Sequence, residues 1–188
     1  MIHIFFDIEN TIIDDLWNCN FLQDSCDRIT RWLYSRFSFV PRGRLKCYLF
    51  TWGWKERSEI EQKIVKKLFD RLEIPEANRG FVWTKDDSIQ CAIKHEWVNT
   101  SDEVEIEDLH IPGAMKRFGL EKQTCFVQQA KDLINFKNAT CDIANRMPTY
   151  FFLIDDTNNE EEIESRTFTN KHNFNIEVRF LHPENLDV

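Results

Sequence analysis

The sequence has no CxxC pair, no basic leader, no run of apolar residues near the ~20 that cross a membrane, and no surplus of positive charge. Each absence removes a class of function. The six cysteines, at 19, 26, 47, 91, 125 and 141, are scattered, and the start MIHIFF carries no cleavable signal, so the expected setting is a reducing cytoplasm. The sequons at Asn99 and Asn138 are then chance matches, because glycosylation needs a secretory route. A net charge of −8 argues against long nucleic acids, whose phosphate backbone calls for clustered Lys and Arg. It leaves open a single phosphate at a small site. The histidines stand apart, without a metal spacing such as HExxH. No internal repeat, low-complexity tract or long linker divides the 188 residues, which suit one domain with its own core.

What is present begins with Ile4-Phe5-Phe6-Asp7-Ile8-Glu9-Asn10-Thr11, an apolar run that breaks into two carboxylates and a hydroxyl. A buried strand ending in acids carries charge to the edge of a core, where it is costly unless a cation, donors or chemistry hold it. Farther on, Ile29, Trp32, Leu33 and Phe37 share one helix face, Cys47-Tyr48-Leu49-Phe50 is a second apolar run ending in Thr51, and Ser58 with Glu61 opens a helix that runs to Leu72. Gly80 to Thr84 reads as a third strand and Lys131 to Asn145 as a helix. Tyr150 to Ile154 is the most apolar strand after the first and ends in Asp155 and Asp156. A helix through Glu160 to Arg166 and a strand from Asn175 to Leu181 complete the pattern. Residues 85–120 read as a small cap or a surface insertion, with 102–109 alternating acidic and apolar side chains. Strand and helix in alternation predict an α/β fold, a mostly parallel sheet covered by helices on its faces.

Ligand sites of open parallel sheets lie at the carboxyl ends of the strands. Three predicted strands end there in Asp7 to Thr11, in Thr51 and in Asp155 and Asp156. Neighbouring acidic ends repel one another without a cation, and hard oxygen ligands suit Mg²⁺, which leaves room for a substrate phosphate. Asp7 can attack phosphorus, Thr51 can donate to a phosphoryl oxygen, and Lys131 can supply positive charge. Lys137, Lys122 and Lys85 are alternatives to Lys131. Trp52-Gly53-Trp54 follows Thr51 and can either grip an aromatic substrate group or pack in the core.

These four pieces, in this order, resemble the haloacid dehalogenase superfamily of phosphohydrolases. The family's DxDx(T/V) is matched by Asp7-Ile8-Glu9-Asn10-Thr11, its strand ending in Thr or Ser by Tyr48-Leu49-Phe50-Thr51, its lysine by Lys131, and its strand ending in DD by Asp155 and Asp156. Leu49-Phe50-Thr51 and Lys131-Asp132-Leu133 also resemble the small phosphatases that act on the RNA polymerase tail. The resemblance implies a three-layer, Rossmann-like α/β sandwich with the Asp7 strand in mid-sheet and a small cap or none. It implies a phosphomonoester substrate on a nucleotide, phosphoprotein or small metabolite, and an aspartyl-phosphate at Asp7. It further implies Mg²⁺ held by Asp7, the Glu9 main-chain carbonyl and Asp155 or Asp156. The chain departs from the pattern at Glu9, where active members usually have the Asp that protonates the leaving group. The added methylene displaces the carboxyl by more than an ångström, about enough to cost orders of magnitude in rate. The contrasting expectation is therefore a weakened member that serves as a protein-interaction or phosphate-binding module.

Overall fold

The computed structural model describes residues 1–15, 17–41, 43–53, 64–98, 114–138, 149–161, 163–169 and 175–186. Trp54, the Ser58–Glu61 capping box and the acidic alternation at 102–109 lie outside the described residues. The strands are β1 (Ile2–Asp7), β2 (Leu45–Phe50), β3 (Arg79–Trp83), β4 (Thr149–Ile154), β5 (Glu164–Thr169) and β6 (Asn175–Leu181). The helices are α1 (Gln23–Phe37), α2 (Val65–Arg71), α3 (Lys85–Lys94), α4 (Ala114–Arg117) and α5 (Lys122–Asn138).

The strands make one sheet in the order β3-β2-β1-β4-β6-β5. All neighbours are parallel except β5, which runs antiparallel to β6 at the edge. β1 is apolar from Ile2 to Phe6 apart from His3 because both of its faces are covered. Ile4 and Phe6 join a core with Ile29 and Trp32 of α1 and Leu68 and Phe69 of α2. Phe5 points the other way, into a core with Phe126, Val127 and Ala130 of α5 and Phe151, Val178 and Phe180 of the sheet. Helices on both faces of a mostly parallel sheet make the three-layer α/β sandwich expected from the alternation.

One close approach depends on glycine. A Cβ on Gly80 of β3 would stand 2.2 Å from Cδ1 of Tyr48 on β2, so glycine lets that ring lie flat against the strand. The Tyr48 hydroxyl meets Nδ1 of buried His3 at 2.9 Å.

Within 85–120, the stretch read as a small cap or surface insertion, residues 85–94 form α3, started by a capping box in which Thr84 and Asp87 satisfy each other's backbone N–H groups. Its Ile89 and Ala92 pack with Met115, Leu120 and Cys125. The rest of the 85–120 stretch is described only in part, 99–113 lying outside the described residues. Two sequence expectations on helices are corrected. The helix expected from Lys131 starts nine residues earlier, at Lys122. Among the described residues of Glu160 to Arg166, where a second helix was expected, there is none, since residues after Asp155 turn, and from Glu164 the chain is strand β5. Arg166 and Phe168 are half-buried while Ser165, Thr167 and Thr169 face outward, the two-residue period of an edge strand.

The five described cysteines are free thiols. Among the described residues no helix is long and apolar enough to cross a membrane.

Candidate active site

The carboxyl ends of β1 and β4 lie side by side. Phe6 pairs with Ile154 in the parallel register, so the next residues, Asp7 and Asp155, emerge at the same level. Both are buried. Carboxylate oxygens of Asp7, Asp155 and Asp156 all lie within 4.8 Å of one another. Between the first two stands Lys122, its Nζ 2.7 Å from Asp7 Oδ1 and 2.6 Å from Asp155 Oδ2. Lys122 reaches them because it opens α5, whose first turn faces the strand ends.

Lys131 is elsewhere. Nine residues along a helix is about 13 Å of rise, and its Nζ sits 4.8 Å above the ring of Phe168 on β5. The lysine at the carboxylates is thus Lys122. The Lys-Asp-Leu tripeptide lies in the middle of α5, whose polar start at Lys122 lacks an acidic first turn that would mark it in the sequence.

The electrostatics follow from burial. Desolvation pushes the Asp7 carboxyl up to about 8, with Asp155 adding to the rise and Lys122 opposing it. Burial and the nearby Asp155 likewise raise Asp156. Burial acts to lower Lys122, but Asp7 and Asp155 outweigh it and hold the ammonium above its ordinary value. Glu9, half-buried, is raised by desolvation, against the pull of Lys122.

Thr11 ties the loops together. The turn from β1 passes through Asn10 in the left-handed region, φ 55°, with its N–H on the Ile13 carbonyl at 2.8 Å. Asparagine tolerates that conformation. The turn returns buried Thr11 to the site, where its hydroxyl accepts the Asp156 N–H at 3.0 Å. Asp155 is fixed in turn by the Thr157 N–H and hydroxyl, 2.9 and 2.6 Å from its Oδ1.

Thr51 follows β2, in line with the site because Phe50 pairs with Asp7. It is buried, and its N–H bonds the Trp83 carbonyl at 2.9 Å. The Gly53 N–H donates to its Oγ1 at 3.0 Å, an arrangement that leaves the hydroxyl hydrogen free to be donated onward. Trp52 is turned toward α3: its indole N–H donates to Ser88 Oγ at 2.9 Å, and Ser88 donates to Gln129 Oε1 at 3.3 Å. This bond and its partial burial make Trp52 a packing residue, while Gly53 is exposed.

Sequence reasoning missed Asn158. It is buried, with its amide N–H groups on the Leu153 and Leu181 carbonyls at 3.0 and 2.9 Å, so it joins the ends of β4 and β6. Gln123, the second residue of α5, donates to its Oδ1 at 2.9 Å. An asparagine in a polar turn gives no signal of this by itself.

Three carboxylates against one ammonium leave negative charge in surplus, and oxygen donors this close fit a hard divalent cation. Burial is the main cause of the rise of Asp7 to about 8, Lys122 opposes it, and the charges of Asp155 and Asp156 add to it. Comparison with family models, with curated proteins and with solved structures returns no match.

Proposed function

We propose that the protein is a haloacid-dehalogenase-like phosphohydrolase, cytoplasmic and Mg²⁺-dependent, acting on a phosphomonoester of a nucleotide, phosphoprotein or small metabolite. The observation that carries this reading is Lys122 set between Asp7 and Asp155 at the ends of adjacent parallel strands. The cation would be held by Asp7, the Glu9 carbonyl and Asp155 or Asp156, and would supply charge that draws the phosphoryl oxygens and stabilises the transition state.

The side chains divide the chemistry. Asp7 Oδ attacks phosphorus, an acyl-phosphate bond forms, and the bond from phosphorus to the leaving oxygen breaks. Glu9 gives that oxygen its proton, a role favoured by a carboxyl raised by burial. Glu9, now a carboxylate, then takes a proton from water as the water oxygen attacks phosphorus. Phosphate departs and Asp7 is restored. Thr51 donates to a phosphoryl oxygen, and Lys122 steadies the Asp7 carboxylate and the charge beside it.

Release of phosphate from an aryl phosphate, with and without Mg²⁺, tests the reading. Metal-dependent turnover that vanishes in Asp7→Asn is expected; an unchanged rate in that variant excludes the mechanism. One observation favours a second reading. Glu9 lies where a shorter acid would be placed for proton transfer, and its backbone is held in a bridge to Ile13. A protein slowed at this step would act as a phosphate-binding or protein-interaction module, with no turnover in metal and a partner recovered by affinity capture.

A further inference from the structure

On the same face of the sheet as α5, but outside the carboxylate site, Cys91, His95 and Asp132 bring a sulfur, a ring nitrogen and a carboxylate oxygen within 4.8 Å of one another. Cys91 and His95 are four residues apart, on one face of α3 and its C-terminal cap. Asp132 comes from α5, and its oxygens lie 3.0 and 3.2 Å from His95 Nε2. We propose that these three side chains form a Zn²⁺-type metal site that joins α3 to α5.

Donor chemistry selects the metal. Thiolate, imidazole and carboxylate together suit a borderline-soft ion such as Zn²⁺, whereas Mg²⁺ and Ca²⁺ prefer oxygen alone. Tetrahedral Zn²⁺ bonds of about 2.0–2.3 Å separate neighbouring donors by roughly 3.3–3.8 Å. The His95 and Asp132 atoms already stand near that spacing, and Cys91 closes the remainder by side-chain rotation. Three protein ligands leave a fourth position for water. Access is open, since a hollow of about 290 Å³ lined by Cys91, Lys94 and Asp132 reaches the surface.

Two neighbours tune the site. Lys94 Nζ lies 2.6 Å from Asp132 Oδ2 and is 64% exposed, so it occupies the cation's place and can swing into water when an ion arrives. Gln128 Nε2 donates to Asp132 Oδ1 at 3.2 Å and orients that carboxylate. On binding, the Cys91 thiol loses its proton to solvent and the sulfur gives its electron pair to the metal. No redox change is involved.

The experiment uses the full chain and Co²⁺, whose thiolate charge-transfer absorption reports a cysteine ligand and is silent on the all-oxygen cluster at Asp7. One equivalent of Co²⁺ giving that absorption, displaced by Zn²⁺, is expected. The absorption is lost in Cys91→Ser and His95→Gln and kept in Asp155→Asn. Lys94→Ala, which only removes the competing cation, tightens Co²⁺ binding about two- to fivefold, the worth of an exposed ion pair. It also guards against misfolding of the ligand variants. No thiolate absorption in the wild-type chain, its persistence in Cys91→Ser, or unchanged affinity in Lys94→Ala would each overturn the proposal.

Discussion

Thr11 receives the backbone N–H of Asp156 on its hydroxyl, 3.0 Å away, and so fastens the loop after β1 to the loop after β4. Its oxygen also lies 3.5 Å from Asp156 Oδ1, and the Ser25 hydroxyl near the start of α1 donates to its carbonyl.

Thr11→Val should therefore loosen the site more than the fold. The isosteric change strands the Asp156 N–H, at a cost of about 1–3 kcal/mol, while the apolar contacts remain. Denaturant unfolding should show a loss in that range, and phosphate release should fall by a larger factor than stability alone accounts for.

Lys122 and Lys131 should behave as opposites. Lys122→Met leaves two buried carboxylates without their ammonium, a change of about 3–5 kcal/mol, and divalent cation should recover part of the loss. Lys131→Met forfeits only a cation–π contact with Phe168, about 0.5–1 kcal/mol. Thermal melts of both variants with and without Mg²⁺ measure the contrast.

Metal-free stability should depend on pH through Asp7. Its carboxyl is raised from the ordinary 3.8 to about 8 by burial, so between those values the folded chain holds a proton that the unfolded chain releases. Stability is then greatest below pH 4 for this group and declines as pH rises through about 8, by at most about 1.4 kcal/mol per pH unit. Chelated protein should melt lower at pH 8 than at pH 5, by a margin that shrinks in Asp7→Asn. Mg²⁺ should stabilise the wild type more at the higher pH.

Glu9→Asp separates the two functional readings. A large gain in Mg²⁺-dependent turnover means that the longer acid throttles a complete site. An inactive parent that gains nothing belongs to the binding-module reading.

The legible parts of the fold were those whose burial is uniform. β1, β2 and β4 are mostly apolar, with His3, Lys46 and Thr149 as interruptions, because both faces of the sheet are covered, and a near-continuous run is distinct from an exposed segment. The acids Asp7, Asp155 and Asp156 stood out because charge follows those runs directly. Lys122 was harder, since a lysine that starts a helix looks like any solvated lysine until the helix start is known. Glu160-Glu161-Glu162 imitated an acidic first helical turn, although the Thr-Phe-Thr alternation of β5 was the better signal. The Thr84–Asp87 box that starts α3 is a helix-start signal present in the sequence itself.

The contact between Thr11 and Asp156 joins positions 145 residues apart. Contacts of such separation close late in folding, because the intervening chain must first be ordered. During synthesis β1 leaves the ribosome before the rest of its sheet, and its neighbour β4 and the ammonium at the head of α5 follow more than a hundred residues behind. Asp7 therefore spends the early life of the chain as an ordinary solvated carboxylate with an ordinary acidity. Its unusual proton affinity arises only when the sheet is complete, which makes the titration of this one group a reporter of finished folding.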